Sequence, residues 1–224
     1  MERRKPSPRR AADEHNTRIV NDFLDRYLYT EANGFTNLER VEDRPRQIKG
    51  VDVEFEFNGD FHRADEKAAT SYINKDLATF SLELAFVNKQ NEIMDGWFLN
   101  EDLMNDSYVF VWIDQGDVVP FSDENPDVEV LTGVDGIRVA DVAFVNKHAI
   151  HGYLSSIGWD DDKLRAKCDR ILDDPESEKM GNVWRNGCKF SYSQHLVEQP
   201  VNVIISRTKI IEMSDFHLHF DNRE

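Results

Sequence analysis

Between Val51 and Phe57 the chain alternates strictly. Val51, Val53, Phe55 and Phe57 are apolar, and Asp52, Glu54 and Glu56 stand between them. A two-residue period marks a strand with one buried face. Asn58-Gly59 follows, a pair that accepts the positive φ of a type I′ turn. Residues 47–67 are therefore predicted to form a β-hairpin, its second strand running on into Ala68 and Ala69.

Elsewhere the pattern changes period. Ile19, Val20, Phe23, Leu24, Tyr27 and Leu28 recur at three- and four-residue spacing, which predicts an amphipathic helix over 13–31 with Asn33-Gly34 as its stop. Ser71–Leu77 reads as a short polar connection. Thr79–Val87 alternates as a strand. Gly96–Leu99 reads as a short strand, and Tyr108–Ile113 as a β-prone core strand. Residues 114–130 read as an acidic loop. Asp135-Gly136 suggests a second hairpin between Val128–Thr132 and Ile137–Val145. Helices are expected over 146–157 and 161–172, then a polar loop over 174–188. Strands follow around Val201–Ile205, Ile210–Met213 and Phe216–Phe220. The expected fold class is α/β: a helix, a central mixed sheet entered through the first hairpin, and a helical and β-rich C-terminal part.

The two-residue turn sets the register of that hairpin. Phe57 faces Asp60, Glu54 faces Arg63, Asp52 faces Asp65 and Gly50 faces Lys67. Opposed residues share a sheet face, with Cβ atoms roughly 4.5–5.5 Å apart. Lys67 lies two residues beyond Asp65 and shares that face, whereas Glu66 points the other way. Like charges directly opposite destabilise a sheet. A divalent cation would compensate, and Mg²⁺ is commonly held by one or two carboxylates with waters and phosphate oxygens. A solvated face on which Lys67 simply neutralises the two acids is an equal alternative.

Asp52, a hairpin, then Asp65-Glu66-Lys67 resembles the PD-(D/E)XK nuclease superfamily. Val51 stands where a proline often precedes the first acid. With Gln47-x-Lys49-Gly50-x-Asp52 and Thr79–Leu84, the string is similar to uncharacterised bacterial and phage members, over roughly residues 15–115. The resemblance implies a restriction-endonuclease-like core over about 13–115, with an α+β C-terminal elaboration over 116–224 in the same domain. It implies metal-dependent hydrolysis of phosphodiester bonds in DNA, RNA not being excluded. Asp52 and Asp65 would hold Mg²⁺, or Mn²⁺ as a substitute. The Glu66 carbonyl would be a further ligand, and Lys67 would orient water or stabilise developing charge. Many members carry a supporting carboxylate on the first helix; Glu31 is the candidate there, and Glu83 could face the same cleft.

Charge complicates this picture. The 224 residues carry a formal net charge of −16, whereas surfaces that meet nucleic acid are normally basic. Two other readings therefore stand beside the nuclease: a catalytically inactive nuclease-like module that works as an interaction protein, or an acidic nucleic-acid mimic. A basic rim of Lys49, Arg63, Lys75 and Lys89 around Lys67 would favour a nuclease. Residues 1–12 read as a disordered basic tail. His148 and His151, one helical turn apart, lack an evident third ligand, and His217 with His219 make a weak metal pair. Cys168 and Cys188 form neither a disulfide framework nor a metal spacing, which fits a cytoplasmic protein. No apolar run approaches a membrane span and no signal-peptide core is present. A protein partner or self-association stays open.

Overall fold

The computed structural model describes residues 7–176, 184 and 187–223. It is mixed α/β. Helix α1 (Pro8–Tyr27) starts at Ser7, whose hydroxyl accepts from the Arg10 amide, with Pro8 in the first turn. Both residues suit a helix start. The helix thus takes in residues expected in the basic tail; residues 1–6 lie outside the described residues. It also ends before residue 31. The Asn33 side-chain amide donates to the carbonyls of Tyr27 and Leu28, closing the last turn. Glu31 falls in a separate 3₁₀ turn, Glu31–Asn33.

Then come β1 (Phe35–Arg40), the short helix α2 (Arg44–Ile48), β2 (Val53–Phe57) and β3 (Asp60–Ala68). β4 (Thr79–Val87), β5 (Ile93–Asp95), β6 (Ser107–Gly116), β7 (Val118–Ser122), β8 (Asn125–Leu131) and β9 (Ile137–Asn146) follow. The rest is α3 (Lys147–Ser156), α4 (Asp161–Asp173), β10 (Cys188–Tyr192), β11 (Val201–Ser206), α5 (Arg207–Glu212) and β12 (Phe216–Asp221).

The central sheet runs β1-β2-β3-β6-β9-β12, and β10-β11-β4-β5 forms a second sheet. In the central sheet β3 and β6 are parallel, the other pairs antiparallel. Its two faces bury different cores. Val53, Phe55, Ala64, Val109, Val111, Val142 and Phe144 pack with Val20, Phe23, Leu24 and Leu28 of α1. Tyr108, Phe110, Trp112, Ala143 and Val145 pack with Leu82, Leu84, Val201, Val203 and residues of α3 and α4. The sheet curls around α1 until its edge strands meet: the rings of Phe35 and Phe216 lie 5.5 Å apart, edge to face.

Several local expectations fail for identifiable reasons. Residues 44–48 are helical because Asp43 caps the Arg46 amide ahead of Pro45, so the hairpin begins only at Val53. Gly96–Leu99 is a turn: Gly96 and Phe98 donate back to the carbonyls of Leu84 and Glu83. The expected strand sits just earlier, at β5. The acidic loop over 114–130 is strand for most of its length, because β7 and β8 pair with each other. β8 is thereby unavailable to β9, which pairs with β6 and β12, and Asp135-Gly136 lies in a 3₁₀ turn. Ile210–Met213 is not a strand. Ser206 caps the Lys209 amide and starts α5, burying Ile210. Much of the loop expected over 174–188 lies outside the described residues, and Cys188 opens a strand.

Candidate functional site

The hairpin register is the one counted from the turn. Phe57 pairs with Asp60, Glu54 with Arg63 and Val53 with Ala64. Asn58 and Gly59 have φ of 52° and 94°, as the type I′ turn requires. The regular ladder then stops. The Asp52 amide donates to the Ala64 carbonyl at 3.0 Å, and its carboxylate accepts from the Glu66 amide at 2.9 Å. Gly50 does not reach Lys67; its amide closes a turn onto Gln47. That turn holds Gly50 at φ +73°, where an added Cβ would stand 3.2 Å from Asn105 Oδ1. The positive φ and the close approach together call for glycine.

Asp65 is 4 % exposed. Its carboxylate pairs with the Lys67 ammonium at 2.8 Å, and that ammonium sits 4.9 Å from the centre of the Trp97 ring. Burial is the main influence on Asp65 and raises its pKa to about 7. Lys67 pulls it down and Asp52 pushes it up. The Asp52 carboxylate, seated on the Glu66 amide, lies beside the peptide that follows Asp65. Glu83 of β4, within electrostatic reach of Lys67, is raised first by burial and then by Glu198, against the Trp97 amide and Lys67. Tyr108 occupies Asp65's row on β6; burial raises the pKa of its hydroxyl, which donates to the Trp97 carbonyl at 3.5 Å. The buried Asn105 Oδ1 has no hydrogen-bond partner among the described residues.

Glu66 faces the opposite side, toward α1. Its carboxylate accepts from the Tyr29 hydroxyl at 2.7 Å and from Arg40 at 2.9 Å. Arg40 also binds Asp25 and the Asn21 carbonyl of the helix. Burial raises the Glu66 pKa, opposed by Arg40. Since α1 covers this face, it lies across the sheet from Asp65, and Glu31 is exposed in the turn beyond it. Glu83 is the acid that approaches the site.

The four residues considered for a basic rim around Lys67 have different surroundings. Arg63 is paired with Glu54 and lies over the Phe61 ring. Lys75 donates to the Ser71 carbonyl, Lys89 is exposed in the β4–β5 turn and Lys49 is half-buried beside Met104. His148 is exposed. His151 stacks on Phe98 at 4.3 Å and bonds Asp161 at 2.7 Å. His217 and His219 both approach Asp141 Oδ1 at 2.8 Å, and Arg207 takes its other oxygen. Both cysteines are buried and not disulfide-bonded.

Trp97, Tyr108 and Asn105 around the acids carry no local sequence signal. They come from a turn and a core strand that only tertiary pairing brings beside β3. Among the described residues no three His, Cys, Asp or Glu side chains are arranged to hold a metal. Asp52 and Asp65 are neighbours across the hairpin, however, and Asp65 is pressed toward protonation near neutral pH. Hard oxygen donors under that pressure suit Mg²⁺, which takes its remaining ligands from water and phosphate. No family model, no curated protein and no solved structure matches the chain. No helix among the described residues is long and apolar enough to cross a membrane.

Proposed function

We propose that the protein is a metal-dependent nuclease that hydrolyses phosphodiester bonds in DNA. The observation that carries this reading is the placement of Asp52 against the Glu66 amide, next to Asp65, at the end of a hairpin, with the Lys67 ammonium 2.8 Å from Asp65. A helix followed by antiparallel strands that lead into a mixed central sheet supports a restriction-endonuclease-like core. One feature departs from a simple core: between β3 and β6 the chain crosses through strands β4 and β5, not a long helix.

Asp52 and Asp65 would hold Mg²⁺ or Mn²⁺, with the Glu66 carbonyl beside them. When bound, the ion supplies Lewis-acid polarisation of the phosphate and a more acidic water. The chain's own residues do the rest. The Glu66 amide anchors Asp52, so one acid is held by backbone while the other is held by burial. Lys67 sits between Asp65 and the Trp97 ring, which limits where its ammonium can go. From there it stabilises negative charge that builds on the phosphorane.

The test compares wild type with Lys67→Ala on duplex, nicked and single-stranded DNA and on RNA, with Mg²⁺ and Mn²⁺. Metal affinity is measured alongside by calorimetry. Metal binding should persist in the variant or tighten, because a competing cation is gone. Cleavage should fall on the order of 10²–10³-fold, the usual cost of losing one transition-state charge stabiliser. Cleavage left intact by Lys67→Ala would move the site elsewhere. A wild type that binds metal and cuts nothing would favour the inactive interaction module, a reading that the net charge of −16 and the Arg63–Glu54 pair already support.

A further inference from the structure

Beyond Lys67 the face of β3 that carries Asp65 leads to a cavity. The Ala69 amide donates to the Val111 carbonyl at 3.0 Å, so pairing with β6 continues one residue past the strand. Ala68 packs against the core under α1, and Ala69 against the core of the second sheet. Asp65, Lys67 and Ala69 therefore fall on one face. Two residues of strand, about 6.6 Å, separate Lys67 from Ala69. Ala69 lines a cavity of about 410 Å³ between the 3₁₀ turn Thr70–Tyr72 and the start of β4. That volume lies in the range of small-molecule sites.

Two aromatic rings belong to its wall. Phe80 is half-buried and fixed against Phe110 and Trp112, with ring centres 4.8 and 5.7 Å away. Tyr72 is 51 % exposed, and the Lys75 ammonium sits 5.7 Å from its ring centre. Asp13 is the one charged group in the wall, and its carboxylate accepts from the Thr70 hydroxyl at 2.5 Å. The hydroxyls of Ser71, Tyr72 and Ser81 have no hydrogen-bond partner among the described residues. No lysine or arginine among the described residues lines the cavity, so nothing inside it neutralises a phosphate. A flat neutral group with an aromatic face and polar edges matches the rings, hydroxyls and carboxylate together. We propose that the cavity takes one unpaired nucleobase of a DNA strand whose phosphate lies at Lys67. This rests on the nuclease reading for the identity of the ligand. It narrows the substrate to DNA with an unpaired nucleotide, because a base enters such a cavity only after leaving its stack. It also lets an acidic protein hold DNA by stacking, which does not depend on a basic surface.

The test uses the full chain as wild type, Tyr72→Ala and Tyr72→Phe. Binding of labelled single-stranded and duplex DNA of one sequence is measured with Ca²⁺ in place of Mg²⁺, and gels check that the DNA stays intact. A set of single strands, each lacking one base at a different position, is measured in parallel. Cleavage with Mg²⁺ is measured separately, and thermal melts confirm that each variant folds. Wild type should bind the single strand more tightly than the duplex. One missing base should weaken that binding about tenfold, the share of one stacked base. Tyr72→Ala should weaken binding of the intact strand by a similar factor and no longer sense the missing base. Tyr72→Phe should restore both, because it keeps the ring. Equal binding of single strand and duplex by wild type overturns the inference. So does equal binding of every strand in the set, or a Tyr72→Ala variant that still senses the missing base. If wild type cleaves in those cases, the nuclease reading survives alone. Base-sensitive binding that needs Tyr72, without cleavage, upholds the base site and removes the hydrolysis. Neither binding nor cleavage by wild type overturns both.

Discussion

Asp65 carries two opposed demands. It is buried, which favours the neutral acid, and it faces Lys67, which favours the carboxylate. Burial wins, and its pKa rises from the ordinary carboxylate range to about 7. The sign for stability follows. The native state holds this proton more tightly than the unfolded chain does, so the contribution is complete below about pH 4. It is lost as pH rises through about 7. Asp52→Asn removes the neighbouring charge that adds to the rise. The metal-free variant should therefore gain stability over wild type as pH goes from 6 to 8, with little difference at pH 4. Urea titrations in EDTA at the three pH values measure this. A gap between the two proteins that stays constant with pH would show that the acids are not coupled.

At the scale of an element, β3 divides its side chains between two environments. Asp65 and Lys67 lie on the face toward the second sheet, with Lys67 against the Trp97 ring, and Glu66 looks into a polar cluster under α1. The same strand that presents the candidate ligands is clamped from behind by Arg40, Asp25 and Tyr29. Breaking a buried ion pair on one side leaves an uncompensated charge, at a cost of about 3–5 kcal/mol. Arg40→Met should approach the lower end of that range, since the Arg40–Asp25 end is part-exposed. Glu66→Gln should cost less, because an amide still accepts from Tyr29. Chemical denaturation checks both. Glu66→Gln should also leave metal affinity unchanged, whereas Asp65→Asn should abolish it; calorimetry showing the reverse would exchange the roles of the two acids.

For the whole molecule, the candidate site lies where two sheets meet. β3 and β6 carry Asp65 and Tyr108, while the β4–β5 layer brings Trp97 and Glu83 over them. A cation bound at this junction stabilises only the assembled layers, so it should raise the melting temperature of the whole fold. At a hundred times its Kd the gain is about 2.7 kcal/mol. Protons compete for Asp65, so the Mg²⁺-induced shift should be larger at pH 8 than at pH 6. With a net charge of −16, general screening must be separated from binding. NaCl at matched ionic strength and the Asp52→Asn variant serve as controls. A shift equal in wild type and variant would place the cation elsewhere.

The hairpin was legible because its information is local. A strict two-residue alternation and Asn58-Gly59 were enough to set which residues of β2 and β3 face each other, and hence that Asp65 and Glu66 part company. The long strands β4 and β9, helices α3 and α4, and the strand at Phe216–Asp221 were legible for the same reason: each repeats its period over several residues. Short segments were not. Ile210-Ile211 and Gly96–Leu99 are too brief to show a period, and caps at Ser206 and bonds back to β4 decided them. Partnering was not legible either, since β8 pairs with β7 and not β9 through contacts that alternation does not encode. Above all, the sequence contains Asp52, Asp65 and Lys67 within one hairpin, but their surroundings come from remote segments. Burial of Asp65 and the Trp97 ring beside Lys67 exist only once the second sheet packs on the central one.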